Sequence, residues 1–251
     1  MKKLAGIIFA VIFILMLTAC NNSTPPGEYE AYIEPDEPMA TDNDTDLDDA
    51  PIDDSAVYAE PAEASRIKTG AFTELASGER SEEITHIVIH FISNVIENRT
   101  DPYILADIER IFLDYGVSAH YIIDRDGTIH LAVSEDRVAF HAGAGTLADF
   151  PAYENNLNQH SIGIELLGIG TQEDMSIFLT AAEYQALDPS LIGFTDAQYE
   201  ALNWLIRDIL LRHPGILPNR AHIIGHDEYA SDKTDPGALF EWDRLDFMNT
   251  P

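Results

Sequence analysis

Two short runs of branched apolar residues, Thr85 to Ile92 and Ser161 to Leu166, most constrain what this 251-residue chain can become. Each is rich in Ile and too short to be a stable helix, so each reads as a strand buried on both faces. Between them the pattern changes. Asp101-Pro102 reads as an N-cap with proline at the first helical position, Ile104, Leu105, Ile108, Ile111 and Phe112 recur at three- and four-residue spacing, and Gly116 ends the helix. Ala119 to Asp124 and Thr128 to Val133 flank the turn Arg125-Asp126-Gly127, a hairpin signal. Thr180 and Thr195 open two similar segments that read as capped helix starts, the second running to about Arg212 before Pro214. Leu217 to Gly225 adds another short strand. Strands interleaved with helices predict an α/β fold, a single domain with a central mixed β-sheet flanked by helices.

That domain starts at about residue 66. Ahead of it, Lys2 and Lys3 precede an uncharged apolar stretch, Leu4 to Leu17, and Leu17-Thr18-Ala19-Cys20 follows. This is the layout of a secretory signal, and it resembles a bacterial lipobox, so residues 1–20 are expected to be a lipoprotein signal peptide with Cys20 lipidated. Such a chain would be extracytoplasmic and anchored to a bacterial membrane. Cys20 is the only cysteine, which excludes an intramolecular disulfide and a cysteine-based metal site. Residues 21–65 hold 14 Asp and Glu and no Lys or Arg, and read as an acidic disordered linker. Residues 66–251 still carry 30 acidic against 12 basic residues, a net of −18. Phosphates would be repelled, which excludes nucleic acid as a partner. The oligomeric state is left open.

The chemistry-bearing residues collect at strand ends. Lys233 is the only lysine after Lys68, and it lies between His226 and Asp235 in Gly225-His226-Asp227-Glu228-Tyr229-Ala230-Ser231-Asp232-Lys233-Thr234-Asp235. His90 ends the first apolar run. Two imidazoles and a carboxylate are donors that a catalytic Zn²⁺ accepts, with a fourth position left for water. A lysine beside them suits a developing oxyanion, so the set points to metal-assisted hydrolysis of an amide. His86 shares the strand face of His90 but lies roughly 13 Å away at the usual rise, too far to bind the same ion. His86 and His222 are expected to be structural, and His160 and His213 solvated loop or helix-end residues.

Five segments, in order, resemble the zinc-dependent N-acetylmuramoyl-L-alanine amidases of the amidase-2 type, relatives of peptidoglycan recognition proteins. They are Ile87-Val88-Ile89-His90, Val117-Ser118-Ala119-His120-Tyr121 with Asp124-Arg125-Asp126-Gly127, Val138-Ala139-Phe140-His141-Ala142-Gly143, Ser161-Ile162-Gly163-Ile164-Glu165-Leu166, and Lys233-Thr234-Asp235-Pro236-Gly237. The resemblance implies zinc held by His90, His226 and Asp235, with Glu165 taking a proton from the attacking water and Lys233 stabilising the oxyanion. It implies a substrate of peptidoglycan or muropeptide fragments, with His120, His141 and Asn156 in the groove or behind it. The tyrosine of one branch of the family is replaced here by Ala119, which leaves Glu165 as the base. Some relatives only bind muropeptides, and a non-catalytic binding lipoprotein is the alternative. Two departures stand out: Ser231-Asp232 shortens the loop before Lys233, and Gly168 to Phe194 is longer than a minimal domain needs.

Overall fold

The computed structural model describes residues 66–249; the expected signal peptide with Cys20 and the expected linker 21–65 lie outside the described residues. In chain order the strands are β1 (Ile67–Lys68), β2 (Ser77–Glu79), β3 (His86–Ile92), β4 (Tyr121–Ile123), β5 (Ile129–Leu131), β6 (Arg137–Ala139), β7 (Ser161–Leu167) and β8 (Ile223–Gly225). The helices are α1 (Leu105–Tyr115), α2 (Leu157–His160), α3 (Ala181–Gln185), α4 (Asp196–Arg212) and α5 (His226–Tyr229). Six strands form one sheet in the order β1-β5-β4-β7-β3-β8, and β2 pairs with β6 apart from it. From β4 to β8 the four neighbours run parallel; β5 is antiparallel to β4, and β1 is parallel to β5. The sheet is therefore mixed, with its two apolar runs at the centre.

Every residue of β7 is buried, as a central strand covered on both faces requires. Alternation then assigns the faces. Ile87, Ile89, Ile162, Ile164 and Leu166 point to one side and pack on Tyr199, Leu202, Leu205, Ile206 and Ile209 of α4. On the other side α1 covers Ile122 and Leu167 with Ile108 and Phe112, while Val88 packs with Ala142, Leu157, Ile224 and Tyr229. Each fully buried aliphatic side chain contributes about 1.5–3 kcal/mol. Leu205→Ala, at a position with no exposure, is expected to cost about 2–5 kcal/mol.

Helix ends follow the sequence closely in α4, where Thr195 and Gln198 form a capping box, and in α3, where Thr180 and Glu183 do the same. Gly116 ends α1 in the left-handed conformation, φ 64°. The start of α1 differs from expectation. The Pro102 carbonyl accepts from the Asn94 N–H rather than from a helical partner, so Asp101 to Tyr103 form a turn and Ile104 becomes the N-cap. The expected strand from Leu217 is likewise shorter. Asn219 turns the chain, accepting from the Ala221 N–H through its side chain and from His222 and Ile223 through its carbonyl, which leaves only β8.

Candidate metal centre

The carboxyl-terminal halves of the parallel strands β3 and β7 and the end of β8 carry the candidate site, the usual side for chemistry on a parallel sheet. His90 lies near the end of β3, directly paired with Glu165 of β7, so the two side chains leave the same face of the sheet. His226 follows β8 at once as the first residue of α5. The loop beyond it folds back: the Lys233 N–H donates to the Ala230 carbonyl, and the Asp227 N–H donates to the Asp235 carbonyl at 2.9 Å. This return brings Asp235 to the two imidazoles. His90, His226 and Asp235 each offer one donor atom, all within 4.8 Å of one another.

The nitrogens that face Asp235 are identified by their contacts. His90 Nδ1 is 2.7 Å and His226 Nδ1 is 3.0 Å from Asp235 Oδ2. His226 Nε2 lies 3.0 Å from the Ala142 carbonyl, which only accepts, so Nε2 carries a proton. Burial first, and then the neighbouring His226, push the His90 imidazole down to about 4, against the pull of Asp235. Burial would raise the Asp235 carboxyl, but hydrogen bonding with His226 and His90 holds it below its usual range. The Nδ1 edges of His90 and His226 thus converge on the Asp235 carboxylate, where either a proton or a cation can lie between them. The donor set fits a divalent metal ion.

Two further groups flank the set. Glu165 is 9 % exposed and its Oε2 has no hydrogen-bond partner. Burial, with a smaller push from the charge of Asp235, raises its carboxyl well above the ordinary value. Unpartnered buried carboxylates are rare because they are costly, and they concentrate where a proton must be moved. Lys233, 38 % exposed, lies 3.9 Å from Asp232 across an open ion pair, and its charge also disfavours protonation of His90. The long segment after Gly168 lies against this loop, since the Thr234 hydroxyl donates to the Asp174 carbonyl at 3.3 Å.

Of the three groove candidates only Asn156 faces solvent, at the N-terminus of α2. His120 has no exposure. Its Nδ1 accepts from the Gly163 N–H at 3.0 Å and its Nε2 faces the Arg137 carbonyl at 3.2 Å, while burial and the Arg80 charge push it down to about 3. His120 is thus a neutral bridge inside the sheet, not a groove wall. His141 is also buried, against His90 and Ser161. Nor is His213 free: its ring lies 2.7 Å from Glu135, which also accepts from Tyr121 and Arg212. Sequence reading missed Arg80, whose guanidinium donates to the carbonyls of Glu135, Arg137, Gln159 and Ser161. It also missed Asn158, which holds the N–H groups of His141 and Ala142 at 3.1 and 2.8 Å. The signal for Ser161 was available, because alternation from Glu165 puts Gly163 and Ser161 on the face of His90.

Three possible metal donors on the carboxyl side of parallel strands, with an unpartnered carboxylate beside them and a lysine on the closing loop, would suit metal-assisted hydrolysis. Residues 80–238 match the family model described as N-acetylmuramoyl-L-alanine amidase, and the chain belongs to that family. It is 35% identical over 136 residues to the 1,6-anhydro-N-acetylmuramyl-L-alanine amidase AmpD of Citrobacter freundii, covering 54% of this chain and 58% of that one. Similarity to AmpD of Haemophilus influenzae is 32% over 176 residues, covering 65% and 81%. The crystal structure of a selenomethionine AmpD derivative superposes with a TM-score of 0.52 at 29% identity, covering 72% of this chain and 93% of that one. The chain thus spans under two thirds of the length of the Citrobacter relative and most of the other two.

Proposed function

We propose that this chain is a zinc-dependent N-acetylmuramoyl-L-alanine amidase. It would hydrolyse the amide between the lactyl group of N-acetylmuramic acid and the L-alanine of the stem peptide, in peptidoglycan or muropeptide fragments. The observation that carries this reading is the pairing of Glu165 with His90, which sets an unpartnered buried carboxylate beside the His90, His226 and Asp235 donors. Two imidazole nitrogens and one carboxylate oxygen suit Zn²⁺ and leave a coordination position open. Bound there, Zn²⁺ supplies Lewis acidity toward water and the scissile carbonyl. Glu165 takes the proton of the attacking water and passes it to the departing L-alanine nitrogen. Lys233 donates to the carbonyl oxygen as negative charge builds on it. A C–O bond forms and the C–N bond breaks, leaving a lactyl carboxylate and a peptide with a free amine. Mass spectrometry of purified muropeptides, incubated with and without a chelator, tests this. Chelator-sensitive release of a peptide with a free L-alanine amine is expected; intact muropeptides that still bind would make the chain a recognition protein.

The N-terminal residues support a second element of the proposal. Lys2-Lys3, the apolar stretch and Cys20 suit lipidation at Cys20, an extracytoplasmic location and a membrane anchor, with residues 21–65 between anchor and enzyme. Among the described residues no helix is long and apolar enough to cross a membrane. Labelled palmitate should enter the full-length protein and not Cys20→Ala; equal labelling of both would refute the anchor.

A further inference from the structure

We propose that the long segment after β7 adds a wall to the cleft and that Ile177, on its rim, is a specificity-determining contact for the stem peptide, an inference that rests on the amidase reading. The path of the chain places the wall. β3 lies between β7 and β8 in the sheet. The Gly168 N–H still donates to the Ile92 carbonyl, so the segment leaves the sheet beside the end of β3. By Asp174 it has reached the loop that follows β8, where its carbonyl accepts from the Thr234 hydroxyl. Residues 168–174 therefore pass the carboxyl end of the strand that carries His90 and meet the loop that carries Lys233 and Asp235.

The segment is firmly held. Thr171 donates to Asp174 Oδ2 through its N–H at 2.8 Å and its hydroxyl at 2.7 Å. A Cβ at Gly170 or Gly237 would lie 2.9 or 2.8 Å from that same oxygen, so segment and loop touch with no room between them. The Tyr184 hydroxyl donates to the Gly170 carbonyl at 2.9 Å, and Arg125 donates to the carbonyls of Leu167, Ser190 and Gly193 where the segment starts and returns. Met175 and Leu179 are buried with Val95, Ile169 and Leu187, against Phe91. The Leu179 N–H donates to the Met175 carbonyl at 2.9 Å, which makes one helical turn. Ile177, midway along that turn, projects away from the two buried residues and is 69 % exposed.

A lone exposed isoleucine is common on a protein surface. This one stands on an ordered support that runs into the Lys233 loop, and its chemistry selects the occupant. An aliphatic side chain makes no hydrogen bond, so sugar hydroxyls gain nothing from it. The stem peptide offers alanine methyls and the methylene chain of a lysine or diaminopimelate residue, surface that gains by leaving water. Such a contact lies beyond the scissile amide and is made only when the stem continues past L-alanine.

Steady-state kinetics of wild type, Ile177→Ser and Leu211→Ser should be compared on N-acetylmuramoyl-L-alanine and on the N-acetylmuramoyl tetrapeptide, each with and without a second sugar. Leu211 is 84 % exposed near the far end of α4, whose start reaches the Leu167 carbonyl through Gln198, and it serves as the control. Wild type should favour the tetrapeptide in KM, and Ile177→Ser should shrink that preference about 3–10-fold, the loss of a partly covered aliphatic contact. Leu211→Ser should keep it. A wild type without the preference, a preference that Ile177→Ser leaves intact, or a loss that follows the number of sugars would each overturn the proposal. Calorimetry of the same ligands reads the preference in Kd and needs no turnover. A wild type that binds these ligands but cleaves none would overturn the amidase reading while the Kd ratio still decides the wall; one that binds none would overturn both.

Discussion

Replacing Glu165 by Gln isolates the proton-transfer role from everything else at the site. The substitution keeps size and shape, and Oε2 makes no hydrogen bond that would be lost. Glu165 is outside the His90, His226 and Asp235 donor set, so zinc content should stay at that of the wild type. The reaction loses its general base, a contribution of about 10²–10⁴ in rate, equivalent to about 2.7–5.5 kcal/mol of barrier. The pH profile carries the sign. Only the carboxylate form takes a proton, and burial raises the Glu165 carboxyl above its ordinary value. The kcat/KM of the wild type should therefore climb as rising pH ionises the Glu165 carboxyl, and the climb should vanish in Glu165→Gln. Chromatographic quantification of released peptide across pH, with zinc content measured on the same samples, makes the comparison. A fully zinc-loaded Glu165→Gln protein with kcat within about tenfold of wild type would refute the assignment.

Lys233→Met should lower kcat by about 10²–10³ with zinc retained, as loss of an oxyanion donor does; an unchanged kcat in steady-state assays would remove Lys233 from the mechanism. Gly225→Ala would put a Cβ 2.3 Å from Asp227 Oδ1 and 2.7 Å from Pro236 Cδ, on both arms of the loop that returns Asp235. About 1–3 kcal/mol of destabilisation is expected, with reduced zinc content, checked by denaturant melts and elemental analysis. In the metal-free protein His86 and His90 are pushed down to about 4 and His120 to about 3, chiefly by burial. Their folded pKa values lie below the unfolded one, so the unfolded chain binds more protons as pH falls from about 6.5 toward 4. Stability should be full above that window and fall through it, by up to about 1.4 kcal/mol per pH unit for each imidazole. Melts that are flat between those pH values would contradict the buried neutral state.

What the sequence disclosed and what it concealed divide along physical lines. The central strands were legible because fully buried strands are continuous apolar runs, and α3 and α4 because Thr180 and Thr195 carry capping partners three residues on. The start of α1 was concealed because a distant donor, the Asn94 N–H, takes the Pro102 carbonyl. The pairing of β2 with β6 joins Ser77–Glu79 to Arg137–Ala139, segments with no apolar alternation and nearly sixty residues between them. The donor triad was legible from residue types and order. Its support was not, since a buried His141 and an exposed one look alike in sequence, and only the register of β7 distinguishes them.

That register gives one strand two separate tasks. On the face toward α4, Ile162, Ile164 and Leu166 fill the main core. On the opposite face, Ser161 touches the His141 ring, Gly163 leaves room for that ring, and Glu165 stands beside the candidate donor set. Stability and chemistry thus occupy alternate positions of Ser161-Ile162-Gly163-Ile164-Glu165-Leu166. A slip of one residue would bury Glu165 against α4 and turn isoleucine toward the donors, losing both at once. The apolar face therefore does more than stabilise: by forbidding the slip, it holds Glu165 opposite His90, and the accuracy of the site derives from the packing on the far side of the sheet.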